Sequence, residues 1–303
     1  MEKPFFSVVI PTFNQAIYLE KAVNSVFKQS YKNFEIIIID NHSTDNTENL
    51  VKNFGKNKIK YFKCKNENVI GKSRNIGIYK AEGEWIAFLD SDDTWHEERL
   101  QILFDFIQKN HIYDVICTDE LIIDTIKNYK RVWRYGPYNN NFYQTLIKYG
   151  NCISTSGTIV KKKILDDNKI FFNEEKIFAT ADDYDLWMRL AKIKVNFKFL
   201  HKVLGNHYYF KDSGGSGKLK KIHKDAILAL LKHHIFFIQN FTKKKGDLWS
   251  HVNARFIMED IRFFFYTKNY YKFIKLLIKL FFKYPIKTID QTNFMLKKKL
   301  FKN

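Results

Sequence analysis

The chain has 303 residues, of which 45% are hydrophobic, and this is enough for a sizeable core in one large domain or two smaller ones. Its three cysteines form no C-x-x-C pair, so we expect no disulfide framework and no zinc knuckle, which fits a reducing cytosol. Its first residues have no signal-peptide pattern, so we expect no export. The formal net charge is +19, and the 20 basic and 5 acidic residues of 218–303 account for +15 of it.

Strand and helix patterns alternate through the first hundred residues. Short apolar runs rich in branched residues predict strands, and apolar residues at helical spacing predict helices. The strands are predicted at 6–10, 34–39, 58–64 and 85–89, and the helices at 17–30, after Ser43–Thr44, and at 71–81. This alternation predicts an α/β fold with a mostly parallel, Rossmann-like sheet flanked by helices.

The pattern is mixed between residues 101 and 217. Helices are predicted at 97–109 and 183–192, and strands at 113–118, 196–200 and 206–210. The Gly- and Ser-rich segment 212–217 is the best candidate for a boundary. We therefore predict a first domain at 1–217, with halves at 1–100 and 101–217, and a helical C-terminal region at 218–303.

Three carboxylates follow the predicted strand at 85–89, in the segment Asp90-Ser91-Asp92-Asp93. Open α/β sheets bind ligands at the carboxyl ends of their strands. Crowded carboxylates repel one another unless a cation neutralises them, which favours Mg²⁺ or Mn²⁺ together with phosphate oxygens. The alternative is a solvated acidic turn that caps the next helix.

Three further polar clusters stand at the ends of predicted elements and should meet the acidic segment at one crevice. They are Pro11-Thr12-Phe13-Asn14, Asp40-Asn41-His42-Ser43-Thr44-Asp45 and Gly71-Lys72-Ser73-Arg74-Asn75-Ile76-Gly77. Asp40 could accept the imide N–H of a uracil or thymine ring, Phe13 could lie against that ring, and Arg74 could meet a diphosphate. Taken singly, these residues also fit a core aromatic, a turn or a solvated helix face.

In order and spacing, these clusters resemble the motifs of the GT-A glycosyltransferase family 2. The family pattern runs P-T-[YF]-N, V-D-D-G-S-T-D, A-R-N-x-G and F-L-D-S-D-D, and its E-D-x-D-L-W-x-R-L helix is similar to residues 182–190. The resemblance covers about the first 210 residues. It implies an enzyme that transfers a sugar, with inversion, from a nucleotide-sugar donor such as a UDP-sugar, and the richness of the chain in Lys, Asn, Ile and Phe, typical of an AT-rich genome, favours a bacterial source. The implied acceptor is a hydroxyl of a glycan or lipid-linked molecule in surface polysaccharide or lipooligosaccharide assembly.

The resemblance also assigns roles by position. Asp183 would be the general base, Asp92 and Asp90 would hold Mn²⁺ or Mg²⁺ with His207 as a further candidate ligand, and Asp182 and Trp187 would lie on the acceptor side. Donor-binding residues would be Pro11, Thr12, Phe13, Asn14, Asp40, Arg74, Asp90 and Ser91. The chain departs from the family at Asn41 and His42, at Asp182 in place of glutamate, and at 208–211, where His207 or Lys211 would have to replace late contacts.

Lysines recur every three or four residues between 268 and 287 and alternate with apolar residues. This spacing predicts an amphipathic helix that ends near Pro285 and is too rich in lysine to span a membrane. We expect it to lie on an anionic membrane surface, at the cytoplasmic face of the plasma membrane; the alternative is a helix packed on the catalytic domain with solvated lysines.

A second hypothesis gives the basic region a different partner. Lys243–Lys245 and Lys297–Lys299 could serve a non-catalytic protein that binds nucleic acid or nucleotides. The acidic crevice and the absence of a recognised nucleic-acid module disfavour this reading, so we expect no nucleic-acid partner. The transferred sugar, the acceptor and the oligomeric state stay open at this point.

Overall fold

The computed structural model describes residues 3–55, 58–210, 217–238 and 245–300. The boundary predicted at 212–217 lies almost wholly outside these residues, as do Lys211, Lys243 and Lys244 and the side chains of Lys297–Lys299.

A mixed sheet and its flanking helices form the first part of the chain. The strands are β1 (Phe6–Thr12), β2 (Phe34–Asp40), β3 (Ile59–Lys63), β4 (Trp85–Phe88), β5 (Thr94–Trp95), β6 (Val115–Asp124), β7 (Tyr129–Trp133), β8 (Thr158–Lys161) and β9 (Phe197–Tyr209). The helices are α1 (Ala16–Phe27), α2 (Thr47–Asn53), α3 (Ile70–Lys80), α4 (Arg99–Lys109), α5 (Phe142–Tyr149), α6 (Lys162–Asn168), α7 (Asp182–Lys192), α8 (Gly217–His233), α9 (Lys245–Tyr266), α10 (Tyr270–Lys283) and α11 (Pro285–Leu300).

The strand order is β3-β2-β1-β4-β8-β6-β9-β5, with β7 paired to β6. Strands β1 to β4 run parallel, and β8 is antiparallel to both of its neighbours. In the register, Thr12 lies opposite Asp40 and Val9 lies opposite Phe88. The carboxyl ends of β1, β2 and β4 therefore meet at one edge of the sheet, which confirms the predicted α/β class and its mostly parallel first half.

Burial explains why these segments form strands. Every residue of β1, β2 and β4 is buried, as expected for central strands covered by helices on both faces. Helix α3 packs so closely on β1 that a Cβ at Gly77 would lie 2.3 Å from Val9 Cγ1. Only glycine permits this approach, and the approach places the start of α3 beside the strand ends.

The chain divides into two compact units, and we call them the sheet unit and the helical unit. The sheet unit comprises Met1–Tyr138 and Ile153–Ala226, and the helical unit comprises Asn139–Cys152 and Ile227–Asn303. Within the helical unit, Leu280 of α10 and Tyr284, the residue after this helix, pack with Ala254 and Ile257 of α9. Segment 139–152, which includes α5, thus belongs with the C-terminal helices.

Most predicted elements are confirmed within a few residues, with one difference. The strands predicted at 196–200 and 206–210 are one strand, β9, which stays paired with β6 through two register shifts. The amphipathic helix predicted to end near Pro285 is α10, which ends at Lys283, and Pro285 is the first residue of α11, where its fixed φ and missing N–H are tolerated.

Candidate functional site

A cleft of about 430 Å³ opens at the carboxyl ends of the parallel strands. This volume lies within the usual range for small-molecule sites. The residues that line it are Pro11, Thr12, Phe13, Gln15, Asn41, Asn66, Asn68, Ile70, Arg74, Asp90, Ser91 and Asp92. The cleft thus collects residues of all four sequence clusters, although these extend along the chain from Pro11 to Asp92.

The loop after β1 presents an aromatic ring to the cleft. Phe13 is 49% exposed, whereas phenylalanine side chains are most often buried. The next residue, Asn14, has φ of 51°; its N–H donates to Ser43 Oγ at 2.8 Å, and its Oδ1 accepts from the N–H of Thr44 at 2.7 Å. Asn14 therefore fixes the loop, and the loop holds the Phe13 ring at the rim of the cleft.

Asp40 is fully buried and does not appear among the cleft-lining residues. Its Oδ1 accepts from the Ser43 hydroxyl at 2.6 Å and from the Ser43 N–H at 2.9 Å, and its Oδ2 accepts from the Tyr61 hydroxyl at 2.5 Å. Asp40 thus holds the turn that follows β2. The residue of this turn that reaches the cleft is Asn41, so a direct contact between Asp40 and a base stays a prediction.

In the acidic segment after β4, the carboxylates of Asp92 and Asp93 have different surroundings. Asp93 is buried and accepts hydrogen bonds from the Ser156 hydroxyl at 2.6 Å and from the Tyr208 N–H at 3.1 Å. Asp92 faces the cleft, and burial together with the negative charges of Asp93 and Asp90 raises its pKa to about 7. Its carboxylate is therefore short of positive partners and suited to bind a cation.

Ser91 of the same segment is buried and donates its hydroxyl hydrogen bond to Gln15, which also lines the cleft. His207 lies behind the acidic segment, with its Nδ1 3.1 Å from Asp93 Oδ2. Burial lowers the pKa of His207, but the charges of Asp93 and neighbouring acids outweigh this and raise it to about 9. In this arrangement His207 pairs with Asp93, and its role as a metal ligand stays a prediction.

Arg74 joins two acids that are far apart in sequence. Its Nη2 lies 2.7 Å from Asp90 Oδ1, its Nη1 lies 3.2 Å from Asp182 Oδ2, and the side chain is almost fully buried. Burial alone lowers the pKa of Arg74, but Asp90 and Asp182 more than compensate, so the guanidinium stays charged. Arg74 therefore ties the acidic segment to the start of α7.

The start of α7 carries Asp182 and Asp183, where the helix dipole favours negative charge. Burial raises the pKa of Asp182 to about 7 even though Arg74 opposes this. Burial also raises the pKa of Asp183, whose Oδ2 accepts from the Thr155 hydroxyl at 3.3 Å and whose Oδ1 accepts from the Tyr184 N–H at 2.7 Å. A carboxylate with a raised pKa is a stronger base than an ordinary aspartate.

Two residues of the recognised motifs support the site from within the core. Trp187 is fully buried, and its ring lies edge-to-face against Phe88 at 6.3 Å between centroids. Asn75 holds the segment before α7, because its side chain donates to the Phe172 carbonyl at 2.9 Å and accepts the Phe172 N–H at 2.8 Å. Both positions therefore fix α7 relative to β4 and α3.

Several cleft-lining residues were not singled out by the sequence. Gln15, Asn66, Asn68 and Ile70 reach the cleft, and Asn68 does so with φ of 65°. Asn41 Oδ1 accepts from the N–H of Asn66 at 2.9 Å, which links the turns after β2 and β3. Asparagines just past predicted strand ends, where left-handed backbone is common, were the available signal.

The described residues contain no group of three or more His, Cys, Asp or Glu side chains arranged to hold a metal ion by themselves. Mg²⁺ and Mn²⁺ are commonly held by one or two carboxylates, with phosphates and waters completing the shell. The crowded carboxylates of Asp92 and Asp90 at the cleft fit this mode of binding.

Comparison with known proteins identifies the class. The fold is similar to that of a mannosyltransferase from Pyrobaculum calidifontis, solved with GDP-Man and Mn²⁺, which superposes with a TM-score of 0.62 over 99% of this chain and 81% of that one, at 13% identity. The sequence profile described as glycosyl transferase family 2 matches residues 7–167, and the chain belongs to this family.

Two relatives show the extent of the sequence similarity. It is 33% identical to an uncharacterized glycosyltransferase of Rickettsia felis over 186 residues, which are 61% of this chain and 30% of that protein. It is 29% identical over 192 residues to WfgD of Escherichia coli, a UDP-Glc:α-D-GlcNAc-diphosphoundecaprenol β-1,3-glucosyltransferase, with 63% of this chain and 72% of WfgD covered. The chain thus spans less than a third of the length of the Rickettsia relative.

No helix in the described ranges combines the length and apolar character that crossing a membrane requires.

Proposed function

We propose that this protein is an inverting, metal-dependent glycosyltransferase that moves a hexosyl group from a UDP-sugar to a hydroxyl of a glycan or lipid-linked acceptor. The observation that carries the proposal is the Asp90–Arg74–Asp182 bridge, with contacts of 2.7 Å and 3.2 Å. This bridge holds the start of α7, and with it Asp183, beside the donor cleft. A base on α7 and a leaving diphosphate in the cleft would then lie at one site.

The nucleotide part of the donor would occupy the cleft. Phe13 offers a ring face for the base, and the side-chain amide of Asn41 offers hydrogen bonds to its edge. Asp40 acts through Asn41 in this arrangement, because its carboxylate fixes the turn on which Asn41 stands. The UDP assignment rests on the donor in the name of WfgD, whereas the mannosyltransferase with the similar fold binds GDP-Man.

Asp92 and Asp90 would hold Mn²⁺ or Mg²⁺ together with the donor diphosphate. When bound, the ion would stabilise the negative charge of the leaving diphosphate. The chain's own contribution is an electronegative cleft: Asp92, Asp90 and Asp93 are crowded together, and Arg74, which lines the cleft, is already paired with two acids.

Asp183 would take the proton from the acceptor hydroxyl as that oxygen attacks the anomeric carbon. A single in-line displacement of the diphosphate inverts the anomeric configuration, and its base must stand on the face opposite the leaving group. The raised pKa of Asp183 brings the carboxylate nearer to the ideal for a base at neutral pH. Asp182, held by Arg74, would set the position of Asp183 and border the acceptor.

The acceptor would be lipid-linked and would be met at the cytoplasmic face of the plasma membrane, in the assembly of a lipopolysaccharide or other surface polysaccharide. The diphosphoundecaprenol acceptor in the name of WfgD supports the lipid carrier. The net charge of +15 in residues 218–303 supports attraction to an anionic membrane surface.

The proposal is tested by a donor screen with UDP-, GDP- and dTDP-sugars in the presence of Mn²⁺. We expect donor hydrolysis and thermal stabilisation with UDP-sugars, and loss of hydrolysis in excess EDTA. Hydrolysis of GDP- or dTDP-sugars alone would overturn the UDP assignment, and full activity in EDTA would overturn the metal. Binding to nucleic acid without hydrolysis of any donor would favour the non-catalytic alternative.

A further inference from the structure

Helix α10 has three stripes along its length. Phe273, Leu276, Leu280 and Tyr284 are the least exposed positions in and just after the helix, and Leu280 and Tyr284 pack against α9. The four lysines at 272, 275, 279 and 283 are all exposed. Between these stripes lies a third, which is apolar and exposed.

The third stripe is broad and well exposed. It comprises Tyr270, Ile274, Leu277, Ile278, Phe281 and Phe282, which are between 41% and 79% exposed. On a helix of 3.6 residues per turn, these positions span an arc of roughly 140° that borders the lysines on one side. Isolated exposed apolar residues are ordinary, but a continuous stripe of six on one helix indicates an interaction surface.

The turn between α9 and α10 extends this surface with aromatic rings. Phe263 and Phe265 of α9 are 57% and 53% exposed, and Tyr266 and Tyr271 are 81% and 77% exposed. Phe265 contacts Phe273 of α10 with 5.5 Å between ring centroids, so the ends of the two helices present their rings together. We call the exposed stripe of α10 and these four residues the hairpin face.

The charge around the hairpin face is of one sign. Between Asp260 and Asp290 the chain has seven basic residues and no acidic one. A second copy of the chain docked on this face would bring two lysine stripes together, which is unfavourable. An apolar layer beneath an anionic surface satisfies both the rings and the lysines, because the rings can enter the acyl boundary while the ammonium groups meet phosphates.

We infer that the hairpin face is the part of this protein that inserts into an anionic lipid bilayer, with the lysine stripe of α10 at the level of the headgroups. The inference deepens the membrane-surface part of the proposed function, because it names the residues that make the contact. It also explains why α10 uses only one narrow stripe for packing on α9, although its sequence offers many more apolar side chains.

Co-sedimentation of the full chain with vesicles tests the inference. Vesicles of phosphatidylcholine alone are compared with vesicles that also contain phosphatidylglycerol, and we expect strong binding only to the second kind. Lys275→Gln with Lys279→Gln should weaken binding about 25-fold, since each lysine near an anionic surface contributes a factor of about five. Ile274→Ser with Phe281→Ser should weaken it at least about tenfold, since both side chains lose burial in the bilayer.

Matched controls separate insertion from general loss of apolar surface. Ile112→Ser and Ile126→Ser remove side chains of the sheet unit that are 66% and 61% exposed, and vesicle binding should not change. All four positions that the two double variants change are exposed, so the thermal unfolding temperature of both variants should be nearly unchanged as well. The lysine variant retains every apolar side chain and is a second route to the answer if the serine variant does not fold.

Three outcomes would overturn the inference. They are equal binding to neutral and anionic vesicles, unchanged binding by both double variants, and conversion of a dimer to a monomer by the serine variant, which would assign the face to a second copy. Donor hydrolysis in solution is measured on the same samples. Loss of vesicle binding with hydrolysis intact in the variants supports the inference, whereas a wild type that binds vesicles but hydrolyses no donor contradicts the proposed function alone.

Discussion

The sheet unit and the helical unit use charge and apolar surface in opposite ways. In the sheet unit, Asp40, Asp93, Asp182 and Arg74 are buried and held by specific hydrogen bonds or ion pairs. In the helical unit, the lysines of α10 are exposed in a row and the large apolar side chains beside them are exposed too. The buried groups of the sheet unit hold individual atoms in fixed positions. The exposed groups of the helical unit form a broad surface instead.

This contrast matters for how each unit tolerates change. A buried carboxylate that loses its partner keeps its full desolvation cost, so substitutions near Arg74 affect both the fold and the site. An exposed lysine on a helix contributes little to stability, so substitutions of the exposed lysines of α10 should affect binding only. Mutations should therefore be able to change the activity of the sheet unit or the surface binding of the helical unit one at a time.

The largest expected effect comes from removing one charge in the cleft of the sheet unit. Asp92→Asn keeps the shape of the side chain but removes the carboxylate, and we expect sugar transfer to fall at least about a thousandfold because several kcal/mol of charge stabilisation are lost. Steady-state kinetics with and without added Mn²⁺ measure this. Asp105→Asn on the exposed side of α4 is the control, and near wild-type turnover by Asp92→Asn would contradict the metal assignment.

The second effect separates the base from donor binding. Asp183→Asn should lower kcat at least about a hundredfold, the usual scale for a general base, while calorimetry shows unchanged UDP affinity. The pKa of Asp183 is raised above its ordinary 3.8, so wild-type activity should fall as pH drops through that raised value, where the base becomes protonated. The variant should lack this acidic limb. A parallel loss of UDP affinity would show that Asp183 acts in binding.

The third effect concerns the packing stripe of α10. Leu280→Ala should destabilise the helical unit by about 2 kcal/mol, because a side chain that is only 5% exposed leaves a cavity beside Ala254 and Ile257. Leu277→Ala, on the exposed stripe of the same helix, should change the free energy of unfolding by less than about 0.5 kcal/mol. Urea unfolding monitored by circular dichroism measures both. Equal destabilisation by the two variants would remove the distinction between the stripes.

The smallest effect concerns the rim of the cleft. Phe13→Ala should weaken UDP binding about fivefold, since an aromatic contact with a base contributes about 1 kcal/mol beyond buried area. Its ring is half exposed, so unfolding should be unaffected. Phe13→Tyr retains the ring and should bind UDP as the wild type does. If both variants bound UDP normally, the base would lie elsewhere in the cleft.

The order of motifs along the sequence was sufficient to predict the sheet and its cleft. Parallel strands bring their carboxyl ends to one edge whatever else the chain does, so the loops that carry Phe13 and Asp92 and the N-terminal half of α3, which carries Arg74, had to meet. The lysine spacing between 268 and 287 likewise predicted an amphipathic helix, because the helical period alone places those residues on one side.

Tertiary structure decided how individual side chains are used. Asp40 and Asn41 are neighbours in the chain, but Tyr61 and Ser43 bind the first and leave the second to line the cleft, a choice that depends on contacts up to 21 residues away. Trp187 belongs to a recognised motif, yet its ring lies in the core against Phe88. On α10, periodicity could not tell which apolar residues pack, because that depends on how closely α9 approaches. Within the described part of the chain, Leu280 and its stripe pack against α9, and the other apolar residues of α10 are exposed.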